Sequence, residues 1–396
     1  MPIMAHGHRL APAQENIMKW FGWKAAGREE SRPALDRARS RFASGFGVGE
    51  VPRSYEAQVR SLYLGNAIAQ RAVRLIAEGI GDAPLLGAPE IVALVQARLG
   101  GQALCASVAA QLLLHGNAYV QLLTDARGDV VELFALRPER VTVEPDAAGW
   151  PVAYRYGVGE RSVRLVAEDP AGRPQVVHIK AFHPLDDHYG LGCLASAAGA
   201  MALHNAAAAW NTALLDNAAR PSGALVYDPG DGSSLSREQF ERLRGELDAG
   251  FAGARNAGRP MLLEGGLKWQ PLSLTPADMD FAGMKATAAR EIATAFGVPP
   301  MLLGLPGDAT YANYREANRA LWRLAILPLA GSILAALGQA LGGWFDTPML
   351  GVDLDRITAL AEDRERLWGQ VSAADFLSSE EKRAMLGIAP VGVGDA

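Results

Sequence analysis

Residues 235–298 constrain the fold more than any other part of the chain, because they spell a long helix, a short β tip and a second long helix. Ser236, Arg237, Glu238 and Gln239 form a capping box, in which the Ser hydroxyl and the Gln amide each satisfy a free backbone N–H. Phe240, Leu243, Leu247 and Phe251 then share one helix face, on a helix about 24 Å long at ~1.5 Å per residue. Next comes MLLE-GG-LKWQPL, where Gly265-Gly266 supply the two positive-φ positions of a tight hairpin. The second helix opens with Thr275 as N-cap, Pro276 at N1 and Asp278 at N3, and closes at Phe296 with Gly297 as its cap and Pro299 beyond. It is about 31 Å long and lines Phe281, Met284, Ala288, Ile292 and Phe296 on one face. Such a segment is either a stalk carrying a β knob or a helical hairpin laid back on a core.

Directly after it, residues 304–311 (GLPGDATY) read as a polar, Gly-containing loop. Asn313 and Glu316 form a further capping box, so a helix is expected to start there. Arg315, Arg319 and Arg323 recur every four residues as a basic stripe. Such stripes are more often solvated or salt-bridged faces than nucleic-acid sites. Pro328 is expected to bend this helix. Residues 324–345 and 188–215 carry no charge. The first contains Pro328 and several glycines, the second His204, Asn205 and Asn211. Both read as buried helices packed closely by small residues, with a bilayer span at 324–345 as the alternative.

The first half reads as α+β. Residues 1–50 are an Arg-punctuated, Gly- and Ser-rich arm, expected to be flexible, with Trp20, Phe21 and Trp23 as anchors if it orders on a neighbour. Residues 66–80 carry a helical stripe at Ile68, Ala72, Leu75, Ile76 and Ile80. Strands follow at AYVQLLT and VVELFAL, joined by a turn at 125–128, and at VTVEP and PVAYRY, joined across 146–149. QVVHIK is a further strand, then an Ala-rich helix near 195–218 and the strand GALVY at 223–227. The tail holds a helix near 355–371 and a last helix that opens on the capping box Ser378–Glu381 and stops at Gly387.

Composition excludes several kinds of chemistry. The first ten residues hold no apolar core long enough for a signal peptide. Cys105 and Cys193 are the only cysteines, too few for a four-Cys zinc site and suggestive of a reducing compartment. Phosphate-binding G-x-x-x-x-G-K-[ST], G-x-S-x-G and H-E-x-x-H are all absent, and the Gly45, Gly47, Gly49 spacing falls in the arm. A Cys105–His115 nucleophile is disfavoured by a ten-residue helical offset. His183, Asp186, Asp187 and His188 could bind a divalent metal, but no second half of such a site is evident. The plainer reading is a polar loop bonded to its own backbone. No cofactor is expected. The formal charge of −5 argues against a protein that grips nucleic acid by bulk charge.

LLLHGNAYVQLL (112–123), LFALRPERVTV (133–143), VVHIKAFHPLDDHYGLGCL (176–194), NAARPSGALVY (217–227), GRPMLLEGGLKWQPL (258–272) and REIATAFGVPPMLLGLPGDATYANYREAN (290–318) resemble the phage portal proteins of the HK97 type. The length and compact tail are most like the portals of gene transfer agents, the phage-like particles of alphaproteobacteria. The resemblance implies an α+β, portal-type protomer: an arm at 1–50, an α/β wing at 51–234, a helical stem at 235–252 and 276–298, a small β clip at 253–275, a tunnel loop and tunnel helix at 299–345 and a short helical crown at 346–396. The arm matches no pattern of that family.

The resemblance also implies a ring, usually of twelve copies, at one capsid vertex of a virion or phage-like particle assembled in the bacterial cytoplasm. Double-stranded DNA would pass through it without sequence readout, while a separate terminase supplies ATP hydrolysis, so the chain itself is expected not to be an enzyme. Partners would be the terminase large subunit, a head–tail adaptor and the major capsid protein, with no membrane. Gly304, Pro306, Gly307, Asp308, Ala309, Thr310, Tyr311 and Asn313 would line the tunnel loop. Arg255, Asn256, Arg259, Glu264, Gly265, Gly266, Lys268 and Trp269 would meet partners at the clip. Arg315, Arg319 and Arg323 would face a neighbouring subunit. The rival readings are a metal-dependent hydrolase using the 183–188 loop and a membrane-associated assembly factor using 324–345.

Overall fold

A computed structural model describes residues 54–216, 223–228, 235–251, 267–271, 281–305, 310–346 and 348–387, together with 35 and 230. In chain order the α-helices are α1 (Tyr55–Gln58), α2 (Ala67–Gly81), α3 (Pro89–Val95), α4 (Leu104–His115), α5 (Cys193–Asp216), α6 (Arg237–Phe251), α7 (Phe281–Ala295), α8 (Tyr311–Leu321), α9 (Leu327–Leu341), α10 (Ala361–Ala373) and α11 (Ser379–Leu386). The strands are β1 (Leu85–Leu86), β2 (Arg98–Leu99), β3 (Gln102–Ala103), β4 (Asn117–Thr124), β5 (Val130–Leu136), β6 (Val141–Pro145), β7 (Pro151–Val158), β8 (Arg161–Val166), β9 (Val176–Lys180), β10 (Gly223–Tyr227), β11 (Leu267–Pro271) and β12 (Gly351–Val352).

The expected mixed helix and sheet is the fold found. Two antiparallel three-stranded sheets, ordered β5-β4-β9 and β6-β7-β8, make its β part. Strand β4 is buried on both faces. Ala118, Val120 and Leu122 join the main core, while Tyr119 joins a smaller core with Leu136, Val141, Val143 and Tyr154. The period of two therefore feeds two cores from one strand. Helix α2 starts at Asn66, whose Oδ1 accepts from the Ala69 N–H at 2.9 Å. Its buried residues are Ala69, Ala72, Val73, Ile76, Ala77 and Ile80, so Ile68 and Leu75 fall on the flank of the buried face rather than at its centre. Strand β8, an exposed edge with Arg161 and Arg164, had no counterpart in the sequence expectations because its outward residues are charged.

Helix α7 packs along α5, whereas the sequence expectation paired residues 276–298 with 235–252. The capping box of α6 is present: Gln239 N–H donates to Ser236 Oγ at 3.2 Å, and Ser236 N–H to Gln239 Oε1 at 2.9 Å. Phe240, on the apolar face of α6, is 55% exposed. Helix α5 carries no charge before Asp216 and has more to gain from burial. Between α5 and α7 lie β10, α6 and β11, and β10 pairs antiparallel with β11, Ala224 opposite Gln270. GALVY thus belongs with the β tip. Residues 252–266 and 272–280, which include Gly265-Gly266 and the Thr275 cap, lie outside the described residues.

Helices α8 and α9 are one continuous helix of 31 residues, Tyr311–Leu341, joined by a π-helical turn, Trp322–Ile326. The turn ends just before Pro328, whose ring removes a backbone donor and crowds the carbonyl four residues back. By length and composition this helix could cross a bilayer. Here Ala330, Ile333, Leu334, Leu337 and Leu341 are core residues. Its far end is tied to the β4–β5 turn, where Trp344 Nε1 donates to Gly128 O at 2.7 Å and the Arg173 guanidinium lies 5.0 Å from the Trp344 ring centroid.

Candidate channel and partner-contact site

The loop expected at residues 304–311 is anchored at both ends. Gly304 closes the 3-10 turn Pro300–Leu303 at φ 73°, a left-handed conformation that favours glycine. At the other end Thr310, rather than Asn313, caps α8: its Oγ1 accepts from the Asn313 N–H at 3.2 Å. The helix therefore begins three residues earlier than the Asn313–Glu316 pattern suggests, and Asn313 is inside it. Pro306, Gly307, Asp308 and Ala309 lie outside the described residues. Tyr311 is 79% exposed, with the Arg315 guanidinium 5.7 Å from its ring centroid.

The basic stripe of α8 meets an acidic one within the same chain. Arg315 Nη1 donates to Glu362 Oε1 at 2.5 Å and Arg319 Nη2 to Glu362 Oε2 at 2.9 Å. Arg319 also lies 3.2 Å from Glu316 and 3.5 Å from Asp363. Two of the three arginines expected to face a neighbour thus bind α10. Arg323, in the π turn, is exposed and makes no ion pair among the described residues. A second arginine locks the tail: Arg364 pairs through Nε and Nη2 with Asp355 at 2.5 and 3.0 Å and donates to Leu386 O at 2.9 Å. Its hydrogen bond holds the Asp355 carboxyl below its ordinary value.

At the β tip, Lys268 lies 3.2 Å from Asp228 and lowers the Asp228 carboxyl pKa through that hydrogen bond. Trp269 belongs to β11. Arg255, Asn256, Arg259, Glu264, Gly265 and Gly266 lie outside the described residues.

The 183–188 loop is bonded to its own backbone. Asp186 Oδ1 accepts from the N–H groups of His188 at 2.7 Å and Tyr189 at 3.0 Å, and His183 Nδ1 from Leu185 N–H at 3.0 Å. Lys180 donates to the Asp187 carbonyl. Among the described residues no three His, Cys, Asp or Glu side chains converge on a metal position. Burial pushes the Cys105 thiol up to about 12, far from a nucleophile's range.

What sequence reasoning missed is the clasp behind that loop. Asn117, 1% exposed, accepts from Gly190 N–H at 2.8 Å and donates to Gly190 O at 3.2 Å. Gly116 turns at φ 81°, and a Cβ on it would stand 2.5 Å from Gly192 N. The signal was present in the paired H-G-N and Y-G-L-G runs, since glycines beside a polar residue in two segments mark a close backbone approach.

Among the described residues, β10 and β11 pair antiparallel in the stretch of chain between α5 and α7. Residues 67–387 match the family described as phage portal protein, and the chain belongs to that family. It is a portal protein, placed at a capsid vertex. A chain in the solved neck of a native gene transfer agent particle computed with C12 symmetry is 48% identical, covers 88% of this chain and 98% of that one, and has a TM-score of 0.66. One in the virion of a native gene transfer agent particle is also 48% identical, covering 87% and 97%, with a TM-score of 0.66. An uncharacterized protein of Rickettsia felis is 39% identical over 353 residues, 84% of this chain and 89% of that protein.

Proposed function

We propose that twelve copies of this chain close into a ring through which double-stranded DNA enters and leaves the particle, and that the chain performs no catalysis of its own. The observation that supports this most is the 48% identity, over 98% of its length, to a chain of a C12-symmetric neck. Within the ring, residues 54–192 with β1–β9 form the wing, α5 and α7 the stem, and β10, α6 and β11 the clip. This moves the first stem helix from 235–252 to 193–216. Residues 304–310 form the tunnel loop that narrows the bore, α8 and α9 the tunnel helix, and α10 and α11 the crown.

The clip, through Lys268, Trp269 and the residues between β10 and β11, docks the terminase large subunit during filling and a head–tail adaptor afterwards. The wing meets the major capsid protein. Arg315 and Arg319 hold the tunnel helix to the crown, which leaves Arg323 for the next copy. Negative-stain images of the purified protein test the reading: rings with a central hole and twelve-fold averages are expected, and a chain that stays a lone globule at every concentration sinks it. Deleting residues 264–267 is expected to abolish terminase and adaptor capture while rings persist.

A further inference from the structure

Three turns of this chain, beginning at Asp125, Asp146 and Asp169, are built alike. In each the Asp Oδ1 accepts from the N–H groups two and four residues on, at 2.8–3.0 Å. The fourth residue is a glycine with φ of 84° at Gly128, 92° at Gly149 and 76° at Gly172. Such a turn spends its N–H groups internally and presents a carbonyl and a side-chain-free glycine to whatever comes next. What comes next differs. A Cβ on Gly172 would meet nothing within 4 Å among the described residues, and that glycine is exposed. The β4–β5 turn receives the end of the long helix, since Gly128 O accepts from Trp344 Nε1 at 2.7 Å and from Arg173 Nη1 at 3.2 Å. The β6–β7 turn receives Leu35 of the N-terminal arm, whose N–H donates to Ala148 O at 2.9 Å. A Cβ on Gly149 would stand 2.5 Å from Leu35 O and 2.9 Å from Leu35 Cβ. Gly149 is buried although Asp146, Ala147 and Ala148 beside it are exposed, and Leu35 is half-buried in turn.

The geometry points to the β6–β7 turn as a docking site for the chain's own N-terminal arm, with Leu35 as its peg. The arm rejoins the folded body at Ser54, nineteen residues on, so the turn of the same chain meets Leu35 at a high effective concentration that a separate copy lacks. The dock changes what the arm can do. Composition marks residues 1–50 as a flexible segment, but a segment fixed at Leu35 works from the edge of the β6-β7-β8 sheet. Trp20, Phe21 and Trp23 lie fifteen residues or fewer upstream of the peg. An extended chain covers at most ~3.6 Å per residue, so these aromatic residues reach no farther than about 54 Å from the turn. The inference holds whether or not the chain closes into a ring.

The test places a benzophenone amino acid at the exposed position of Ala148 in the full-length chain. Irradiation is expected to join position 148 to the arm within one chain: a denaturing gel shows monomer, and peptide mapping finds the partner among residues 30–40. Leu35→Pro removes both the donor N–H and the leucine side chain without touching the cores. In that variant the cross-link is expected to be lost while the thermal midpoint stays unchanged. No cross-link to the arm, or one that survives undiminished in Leu35→Pro, overturns the proposal. Covalent dimers overturn it as well, because the turn would then hold the arm of another copy. If Leu35→Pro lowers the midpoint, the cross-link map of the chain with Leu35 intact decides alone.

Discussion

At the residue scale, the fold is most sensitive where backbones nearly touch. A Cβ on Gly190 would stand 2.1 Å from Gly116 O and 2.6 Å from Ala181 N, atoms that cannot move without breaking β4 or β9. Gly190→Ala is therefore expected to give a chain that does not accumulate in soluble form. Asn117→Ala is milder: it leaves the buried N–H and C=O of Gly190 without their partner, at a cost of about 1–3 kcal/mol, read as a lowered urea midpoint. Unchanged unfolding in Asn117→Ala would show that the clasp is incidental. Asp355 gives a pH dependence. Its carboxyl pKa is lowered by Arg364, so the stability it contributes is full above the ordinary aspartate value of 3.8 and is lost as pH falls through the lower folded value. Asp355→Asn is expected to melt below the wild type at pH 7 and to converge with it in acid.

At the element scale, the long helix Tyr311–Leu341 divides at the π turn into two halves with different attachments. Most α8 residues are exposed, and the helix is held to α10 largely by charge, whereas α9 is locked in the core. Removing the charge should loosen one half only. Arg319→Ala is expected to speed amide exchange across residues 311–321 while leaving 330–341 protected. Glu362→Ala should do the same, and the double variant less than the sum of the two, because they share the Arg319–Glu362 contact. Exchange rising along the whole helix would refute this division. The sequence carried the ends of these elements well, since Ser236, Gly297, Ser378 and Gly387 act locally, through bonds to residues three or four away. It did not carry their partners. Which helix covers α7 depends on how much apolar surface each competitor can bury, and β10 could be placed with β11 only once both were seen in register. Thr310 outcompeted Asn313 as a cap because the helix gains most of another turn by starting earlier.

At the scale of the whole molecule, the same sequence must build a wall that DNA passes and a joint that holds. Those demands oppose each other electrostatically. Many Lys and Arg facing the bore would hold the phosphate backbone, and translocation would stall. In the proposed ring twelve copies at −5 each carry −60 formal charges, and this charge repels a polyanion that comes within the ~8 Å that salt leaves unscreened. The arginines of α8 are consistent with this, since Arg315 and Arg319 are paired within the chain with Glu316, Glu362 and Asp363. Ring binding to linear duplex DNA is accordingly expected to be weaker than about 1 μM at physiological salt, with a shallow salt dependence. Glu362→Gln should strengthen binding and steepen that dependence by freeing the Arg315 guanidinium, while Arg319 keeps Glu316 and Asp363. Tight, steeply salt-dependent binding by the wild-type ring would mean that the bore grips its cargo, and a repulsive wall could not then be how DNA slides.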